Sequence, residues 1–383
     1  MIPRRTILVF CALGLAACGG EANTTAPVVT EPPPPTFDPA ASVVAFREHS
    51  CGLTDAGKAF CWGANTWGEL GADLNIDDLH HYNWVIPRAL PVATGLTFVK
   101  LQGGAIFTCG LTAGHELYCW GGNFEGEQGD TFFGYRKLPT RIPLVEPFKD
   151  IAANDRNTCG LTLAGAVRCS GAFYGGGIQS LTSGTKVFQS IYQGPQHTCA
   201  LESSGAAYCW GYGGGRNGDG TGERLYEPTA VAGGLTFTVL ALGDSHSCGI
   251  DNSTHAYCWG LNADGQLGDE STDSRLSPTL VHTAVPFASI AAGSTHTCAV
   301  GVTGEAYCWG ANTYGQLGDG TTVSHLAPSP VGGGLHFTSI SIQQLHTCGR
   351  TIDGKAYCWG VNNGGQLGDS SFVTRNVPVR VLP

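Results

Sequence analysis

The chain has 383 residues, with 57 glycines, 20 prolines, 16 cysteines and only 13% charged residues. Charge is about half and glycine about twice the usual share, a balance that suits a turn-rich all-β protein, because tight turns need residues that tolerate positive φ. The hydrophobic fraction of 42% excludes general disorder. A formal net charge of −10 speaks against nucleic acid as a partner, since that binding rests on clustered Lys and Arg.

Residues 1–17 read as a signal peptide. Arg4 and Arg5 precede an apolar run from Ile7 to Ala17 that is too short to span a bilayer. Leu15-Ala16-Ala17-Cys18 resembles a bacterial lipobox, which implies cleavage before Cys18 and lipidation of that cysteine. An ordinary signal with a chance cysteine, and an uncleaved anchor, are the alternatives. Gly19 in place of Asp at the following position implies, by the same resemblance, the outer membrane. Cleavage would remove two arginines and no acid, taking the formal charge from −10 to about −12. Residues 18–41, with Pro32-Pro33-Pro34-Pro35, have the composition of an extended linker that holds a folded body off the membrane.

From residue 42 to 383 the chain repeats. Two cysteines separated by nine residues occur seven times: Cys51/Cys61, Cys109/Cys119, Cys159/Cys169, Cys199/Cys209, Cys248/Cys258, Cys298/Cys308 and Cys348/Cys358. Successive first cysteines are 58, 50, 40, 49, 50 and 50 residues apart. A period near 50 with short strands and regular turns is a propeller signature. In the best-preserved unit, Phe287–Ala292, His296–Val300, Ala306–Gly310 and the Pro-containing Ala327–Val331 read as four strands. If Cys298 lies opposite Cys308, the chain turns through three residues ending in Gly304, where a left-handed residue is needed and glycine is cheapest. The unit at 109 offsets its glycine to Gly114, which predicts a slightly different turn, and the unit at 248 has Asp251–Thr254 and no glycine. Ala306 and Cys308 should face one way and Tyr307 and Trp309 the other, both faces being buried between neighbouring blades.

Setting aside Cys11 and Cys18, the remaining fourteen cysteines all fall in the seven pairs. Opposed residues on antiparallel strands lie within disulfide reach, and an exported protein meets conditions in which disulfides persist. Seven intra-blade disulfides are therefore expected, each closing about eleven residues. Buried thiols packing as small hydrophobes, or zinc, are the other readings; the spacing lacks the close pairs typical of zinc ligands.

The segments Trp309–Gly320, Trp259–Asp269 and Trp359–Asp369, each carrying Gly-Gln-Leu-Gly-Asp, resemble the repeat of the regulator of chromosome condensation family. Trp62–Gly71 matches as well and Trp120–Asp130 more weakly. The resemblance covers about residues 42–383 and implies a closed seven-bladed all-β propeller of about four short antiparallel strands per blade. A kelch propeller has a similar period but lacks this signature. The third unit departs most: it is 40 residues long and has lost both tryptophan and signature in Cys169–Gly177. How the two chain ends close the ring is open at this stage.

His49, His197, His246, His296 and His346 each stand two residues before the first cysteine of a pair. A metal-binding ring is conceivable, but Phe107 and Asn157 occupy the position in two units, and a bond from each imidazole to a backbone carbonyl beside the turn is the expectation. Asp130, Asp219, Asp269, Asp319 and Asp369 should cap the signature turn through their own side chains. The insertion in the first unit gathers Asp77, Asp78, His80, His81, Tyr82 and Trp84 and is a candidate partner-binding loop. No nucleophile elbow, phosphate loop or His-Glu-x-x-His motif is present, so no catalytic residue, metal or cofactor is assigned. The expected function is a non-enzymatic, lipid-anchored scaffold in the cell envelope that binds a protein or another envelope component and touches the membrane only through its anchor. Family resemblance offers two alternatives: nucleotide exchange with chromatin binding, and inhibition of a secreted enzyme.

Overall fold

A computed structural model describes residues 42–72, 85–144, 146–172, 179–180 and 186–383. These form twenty-eight strands in seven antiparallel sheets of four. In every blade the strands follow one another outward in sequence order; the first is Ser42–Ala45, His49–Leu53, Ala59–Ala64 and Val85–Pro91. The third blade ends in a two-residue strand, Gln179–Ser180, paired with Arg168 and Cys169. The innermost strands of all seven blades surround a cavity of about 350 Å³ lined by residues such as Val44, Gln102, Ala152, Ser190, Ala241, Ala291 and Ser341.

In the sixth blade the strands are Phe287–Ala292, His296–Gly301, Ala306–Gly310 and His325–Pro330. The outer strand therefore starts two residues earlier than sequence patterning placed it. Gly310 pairs with His325 and Tyr307 with Pro330 across a bulge. This strand lies at the sheet edge, half exposed, where Pro328 and Pro330 withhold no needed ladder donor. Cys298 lies opposite Cys308, and Gly301 N–H closes the hairpin on Glu305 O at 2.8 Å around a three-residue loop. Gly304 has φ 97° there. The second blade makes the same turn and not a different one. His115, the residue after Gly114, takes φ 65° and its N–H bonds Thr112 O at 3.0 Å. Thr254 does likewise in the fifth blade, at 66°.

All seven cysteine pairs are disulfides: Cys51–Cys61, Cys109–Cys119, Cys159–Cys169, Cys199–Cys209, Cys248–Cys258, Cys298–Cys308 and Cys348–Cys358, with Cα separations of 4.0–4.1 Å. The plain four-stranded ladder expected from the sequence needs one correction, at the second cysteine of the pair. Cys61 lies opposite Leu90 and Cys209 opposite Thr229 on the outer strand, but the register shifts directly afterwards, between Cys61 and Gly63 and between Cys209 and Gly211. The tryptophan that follows each of these cysteines is the residue left out of the outer ladder. The spacing of the cysteines fixes only the inner side of their strand, where Cys61 faces Cys51 and Cys209 faces Cys199 in regular register. The bulge is set by the glycine after the tryptophan, which takes a positive φ of 105° at Gly63 and 125° at Gly211.

The burial of the disulfides explains how the blades stack. Cys248 and Cys258 of the fifth blade pack in one apolar cluster with Trp309 and Phe287 of the sixth. Cys298 and Cys308 pack with Trp359 and Phe337 of the seventh, and Cys348 and Cys358 with Trp62 and Phe60 of the first. Cys51 and Cys61 pack with Trp120 of the second blade, and Cys199 and Cys209 with Trp259 of the fifth. Thus one face of each of these central hairpins presents a bare disulfide, and the neighbour's tryptophan covers it. At the second-to-third junction, where Ser170 replaces tryptophan, Phe148 and Ile151 fill the space over Cys109 and Cys119.

Two glycines of the signature make this stacking sterically feasible. A Cβ on Gly318 would sit 2.6 Å from Trp359 Nε1. One on Gly310, at φ 101°, would meet Thr295 O at 2.5 Å.

The ring closes without exchange of a strand between the chain ends. Each blade is drawn from one stretch of chain, and the seventh-to-first junction repeats the bonds of an internal one. Gly320 N–H donates to Asn376 O at 2.8 Å between the sixth and seventh blades, and Ser370 N–H to Pro87 O at 2.7 Å between the seventh and first. Ala89 N–H adds a bond to Leu382 O at 2.9 Å.

Replacing Trp359 by alanine should cost about 3–5 kcal/mol, as expected for a fully buried aromatic, read as a shift in urea midpoint. Removing Cys298–Cys308 by paired Ala substitution should cost about 2.5–3 kcal/mol of loop-closure entropy for about eleven residues, and the packing of two buried sulfurs in addition. Denatured, unreduced protein should titrate no thiol from the propeller.

Candidate functional site

The five histidines are completely buried at the blade junctions, away from the channel wall, and bond to side chains of the next blade, not to carbonyls beside their own turn. His49 Nε2 lies 2.8 Å from Thr108 Oγ, His197 Nε2 2.6 Å from Ser247 Oγ, and His246 Nε2 2.8 Å from Thr297 Oγ. His296 reaches Thr347 at 3.0 Å, and His346 reaches Ser50 at 3.1 Å across the ring closure. Each of these hydroxyls donates its single proton back to a signature-turn carbonyl of the preceding blade. Thr108 bonds Glu69 O at 3.0 Å, Ser247 bonds Arg216 O at 2.9 Å, and Thr297 bonds Gln266 O at 2.8 Å. Thr347 bonds Gln316 O at 3.0 Å and Ser50 bonds Gln366 O at 3.1 Å. With the hydroxyl proton so used, the imidazole must donate, and its hydrogen is on Nε2.

The same five carbonyls accept a second bond, from the indole of the following blade. Trp120, Trp259, Trp309, Trp359 and Trp62 donate through Nε1 to Glu69, Arg216, Gln266, Gln316 and Gln366 at 2.8–3.0 Å. A histidine, a hydroxyl, an indole and one carbonyl thus form a clasp at five of the seven junctions. The partner hydroxyl was available in the sequence: Ser50, Thr108, Thr158, Thr198, Ser247, Thr297 and Thr347 all immediately precede a first cysteine. The junctions on either side of the third blade lack the clasp, because Phe107 and Asn157 stand in the histidine position.

Among the described residues no cluster of histidine, cysteine and acid could hold a metal. The aspartates cap the signature turn. Asp269 accepts from Ser271 N–H at 3.2 Å and Asn262 Nδ2 at 3.0 Å, and pairs with Arg275 at 2.7 Å. Asp369 repeats this with Ser371, Asn362 and Arg375, and Asp130 pairs with Arg136 at 2.5 Å. Asp319 uses His325 at 2.8 Å. The asparagine and the basic partner were not anticipated.

Three charged features were also missed. Glu69 stands where later blades carry Gln266 and Gln316; it is 2% exposed, and burial pushes its carboxyl up to about 7. At the signature-turn end of the channel, Arg47 of the first blade pairs with Asp155 of the third at 3.1 Å, and Gln343 of the seventh donates to the same carboxylate at 3.4 Å. Burial raises Asp155 and Asp244 there. On the outer part of that face, Trp67, Phe124 and Tyr135 form an exposed aromatic cluster, with Trp67 4.8 Å from Phe124 and 6.1 Å from Tyr135. Phe132 and Phe133 are exposed on the same connection of the second blade. The insertion residues Asp77, Asp78, His80, His81, Tyr82 and Trp84 lie outside the described residues, as does Cys18.

Burial holds His49, His197 and His296 at about 3 and His246 and His346 at about 4, against 6.5 when exposed. The unfolded chain therefore binds more protons than the native one below pH 6.5. The histidine contribution is full above that value and declines as pH falls toward 4, by up to about 1.4 kcal/mol per pH unit for each imidazole. Glu69 runs the other way, its contribution being lost as pH rises from 4.5 toward 7. Glu127, Asp155 and Asp244, which burial also raises, run in the same direction as Glu69; the five imidazoles outweigh these carboxyls, so urea midpoints should fall between pH 7 and 5. His296→Gln should flatten that dependence by about one proton; a slope unchanged from the parent would count against the buried neutral imidazole. Glu69→Gln should raise the midpoint at pH 8.

Models of the regulator of chromosome condensation (RCC1) repeat match residues 255–300, 303–350 and 353–383. A second model of the same repeat matches 42–68, 188–220, 237–266, 287–316 and 338–366, so that together they cover more than half of the chain. The chain is 29% identical over 204 residues to the probable E3 ubiquitin-protein ligase HERC4 of Rattus norvegicus, a match spanning 48% of this chain but only 18% of HERC4. It is 29% identical over 195 residues to RCC1 domain-containing protein 1 of Mus musculus, covering 48% of each. Among solved structures, human WBSCR16 superposes with a TM-score of 0.77 at 17% identity, over 85% of this chain and 94% of that one. Prp20p of Saccharomyces cerevisiae, described with its binding to Gsp1p and histones, superposes with a TM-score of 0.76 at 21% identity, over 86% and 87% of the two chains. The chain belongs to the regulator of chromosome condensation repeat family.

Proposed function

We propose that this protein is a non-enzymatic scaffold, tethered to the outer membrane of a bacterial cell by lipid on Cys18, that holds a protein partner against the signature-turn face of its propeller. The observation that carries the reading is the aromatic cluster on that face. Trp67, Phe124, Phe132 and Phe133, on the connections of two adjacent blades, and Tyr135, at the start of the strand Gly134–Arg141, are 37–61% exposed. Large apolar side chains gathered at a surface mark interaction sites, and Trp and Tyr supply much of the energy of protein interfaces. The rigid ring beneath them favours binding, because little order is lost when a partner docks. The protein partnership of Prp20p, a similar propeller, supports a protein in preference to a small substrate. The lipobox-like Leu15–Cys18 and the proline run support the tether.

Cross-linking on intact cells followed by purification should capture an envelope protein with the parent chain, and at least tenfold less of it with Trp67→Ala combined with Phe124→Ala. Recovery of nucleoid proteins alone would overturn the reading. Metabolic labelling with palmitate should mark the parent chain and not Cys18→Ala; equal labelling of both would remove the anchor from the account.

A further inference from the structure

The third blade is ten residues shorter than most, and a notch lies between it and the fourth, on the signature-turn face. It has a volume of about 190 Å³ and is lined by Trp210, Tyr212, Arg224, Tyr226, Gln193 and Gln196 among others. That is slightly more than the 150 Å³ of an engineered cavity that admits benzene, so it takes one ring or one side chain.

Three observations define what would occupy it. Trp210 is 3% exposed, yet its Nε1–H has no acceptor. In five other blades that proton goes to a signature-turn carbonyl of the preceding blade, and the third blade's sequence carries no such signature. A buried N–H left without an acceptor costs about 1–3 kcal/mol, which a ligand oxygen would recover. Second, the guanidinium of Arg224 stacks on Tyr212 at 4.4 Å and Tyr226 at 4.9 Å, and no acid pairs with it among the described residues. It is exposed at the mouth of the notch, held in position by two rings and ready to take a carboxylate on its planar edge. Third, Gln193 Oε1 is buried without a donor; a half-turn of this amide would present N–H to the same ligand. The walls are aromatic, and the indole N–H of Trp210 and the guanidinium of Arg224 are donors.

We infer that the notch between the third and fourth blades binds a single-ring group bearing a carboxylate, with the ring against the aromatic wall and the carboxylate taken by Arg224 and the Trp210 indole N–H. The group has two sources, a free aromatic acid or the C-terminal residue of a peptide, and the site stands apart from the aromatic cluster of the first two blades.

The test uses the whole propeller labelled with ¹⁵N, its Trp210 indole signal identified by loss in Trp210→Phe. Phenylacetate should shift that signal saturably, and phenylacetamide, the neutral analogue, should bind at least tenfold more weakly. Arg224→Ala should weaken phenylacetate at least tenfold while leaving the thermal midpoint unchanged, since the side chain is at the surface. Gly-Gly-Phe with a free carboxylate is the second arm. Binding tighter than phenylacetate supports the site and assigns it to peptide termini, and weaker binding supports the site and assigns it to free acids. No shift of the Trp210 signal with either probe, equal binding of acid and amide, or an unaffected Arg224→Ala would overturn the inference.

Discussion

The structure depends on one carbonyl per junction. In the signature turn, the residue after the first glycine presents its main-chain oxygen to the next blade, where an indole N–H and a hydroxyl both donate to it. The hydroxyl is in turn held by a histidine of the blade that owns the carbonyl. Each clasp therefore ties two blades by three bonds, made between buried groups. A buried polar group is expensive when its partner is lost. Without the hydroxyl the imidazole N–H has no acceptor, and without the tryptophan the carbonyl keeps the hydroxyl alone. The apolar part of the junction follows, because the indole that reaches the carbonyl lies over the neighbour's disulfide.

The cysteines and the clasp divide the work between two scales. A disulfide fixes the central hairpin inside a blade but joins nothing between blades. The clasp and the tryptophan join blades but leave hairpin register to the disulfide. In an open stack of repeats the terminal units would be weak. Here the seventh-to-first junction carries Trp62, Ser50 and His346 in the same roles as any internal one, so the ring has no weak end. The third blade is the exception. It keeps its disulfide while its sequence lacks the signature and the tryptophan, and other polar bonds hold it to its neighbours: Ser170 Oγ donates to Glu127 O at 3.3 Å, Lys100 pairs with Asp150 at 2.5 Å, and Asn154 Nδ2 donates to Gly194 O at 2.6 Å.

Much of this was legible in the residues. Nine residues between paired cysteines defined the hairpin, Gly304 located its tip, and the Trp-Gly and Gly-Gln-Leu-Gly-Asp segments identified the family and with it the number of blades. Burial of the tryptophan strand between blades was legible too; what escaped was the polar bonding between blades, and the bulge after Cys61 and Cys209 that lifts the tryptophan out of the outer ladder. The partner of His296 is a threonine fifty-one residues away, and nothing local distinguishes that bond from one to a nearby carbonyl. The turn at His115 escaped for the opposite reason: local preference favours glycine in a left-handed position, but the paired strands on either side fixed the register and a histidine was forced to follow. The outer strand was misplaced by two residues because its prolines, read as the strand, mark only its solvent side. Glu69 stands at the glutamine position of the first signature, and its burial is a property of the stack.

If the clasps make the ring a single cooperative body, their indole protons should report it together. Hydrogen exchange at the indole nitrogens of Trp62, Trp120, Trp259, Trp309 and Trp359, followed by NMR, measures the opening of five junctions in one experiment. The account predicts one common free energy for all five, equal to that of global unfolding and lowered in step by a substitution at any single clasp, while the exposed Trp67 exchanges at once. Five separate opening energies, or a loss of protection confined to the junction that is altered, would contradict it.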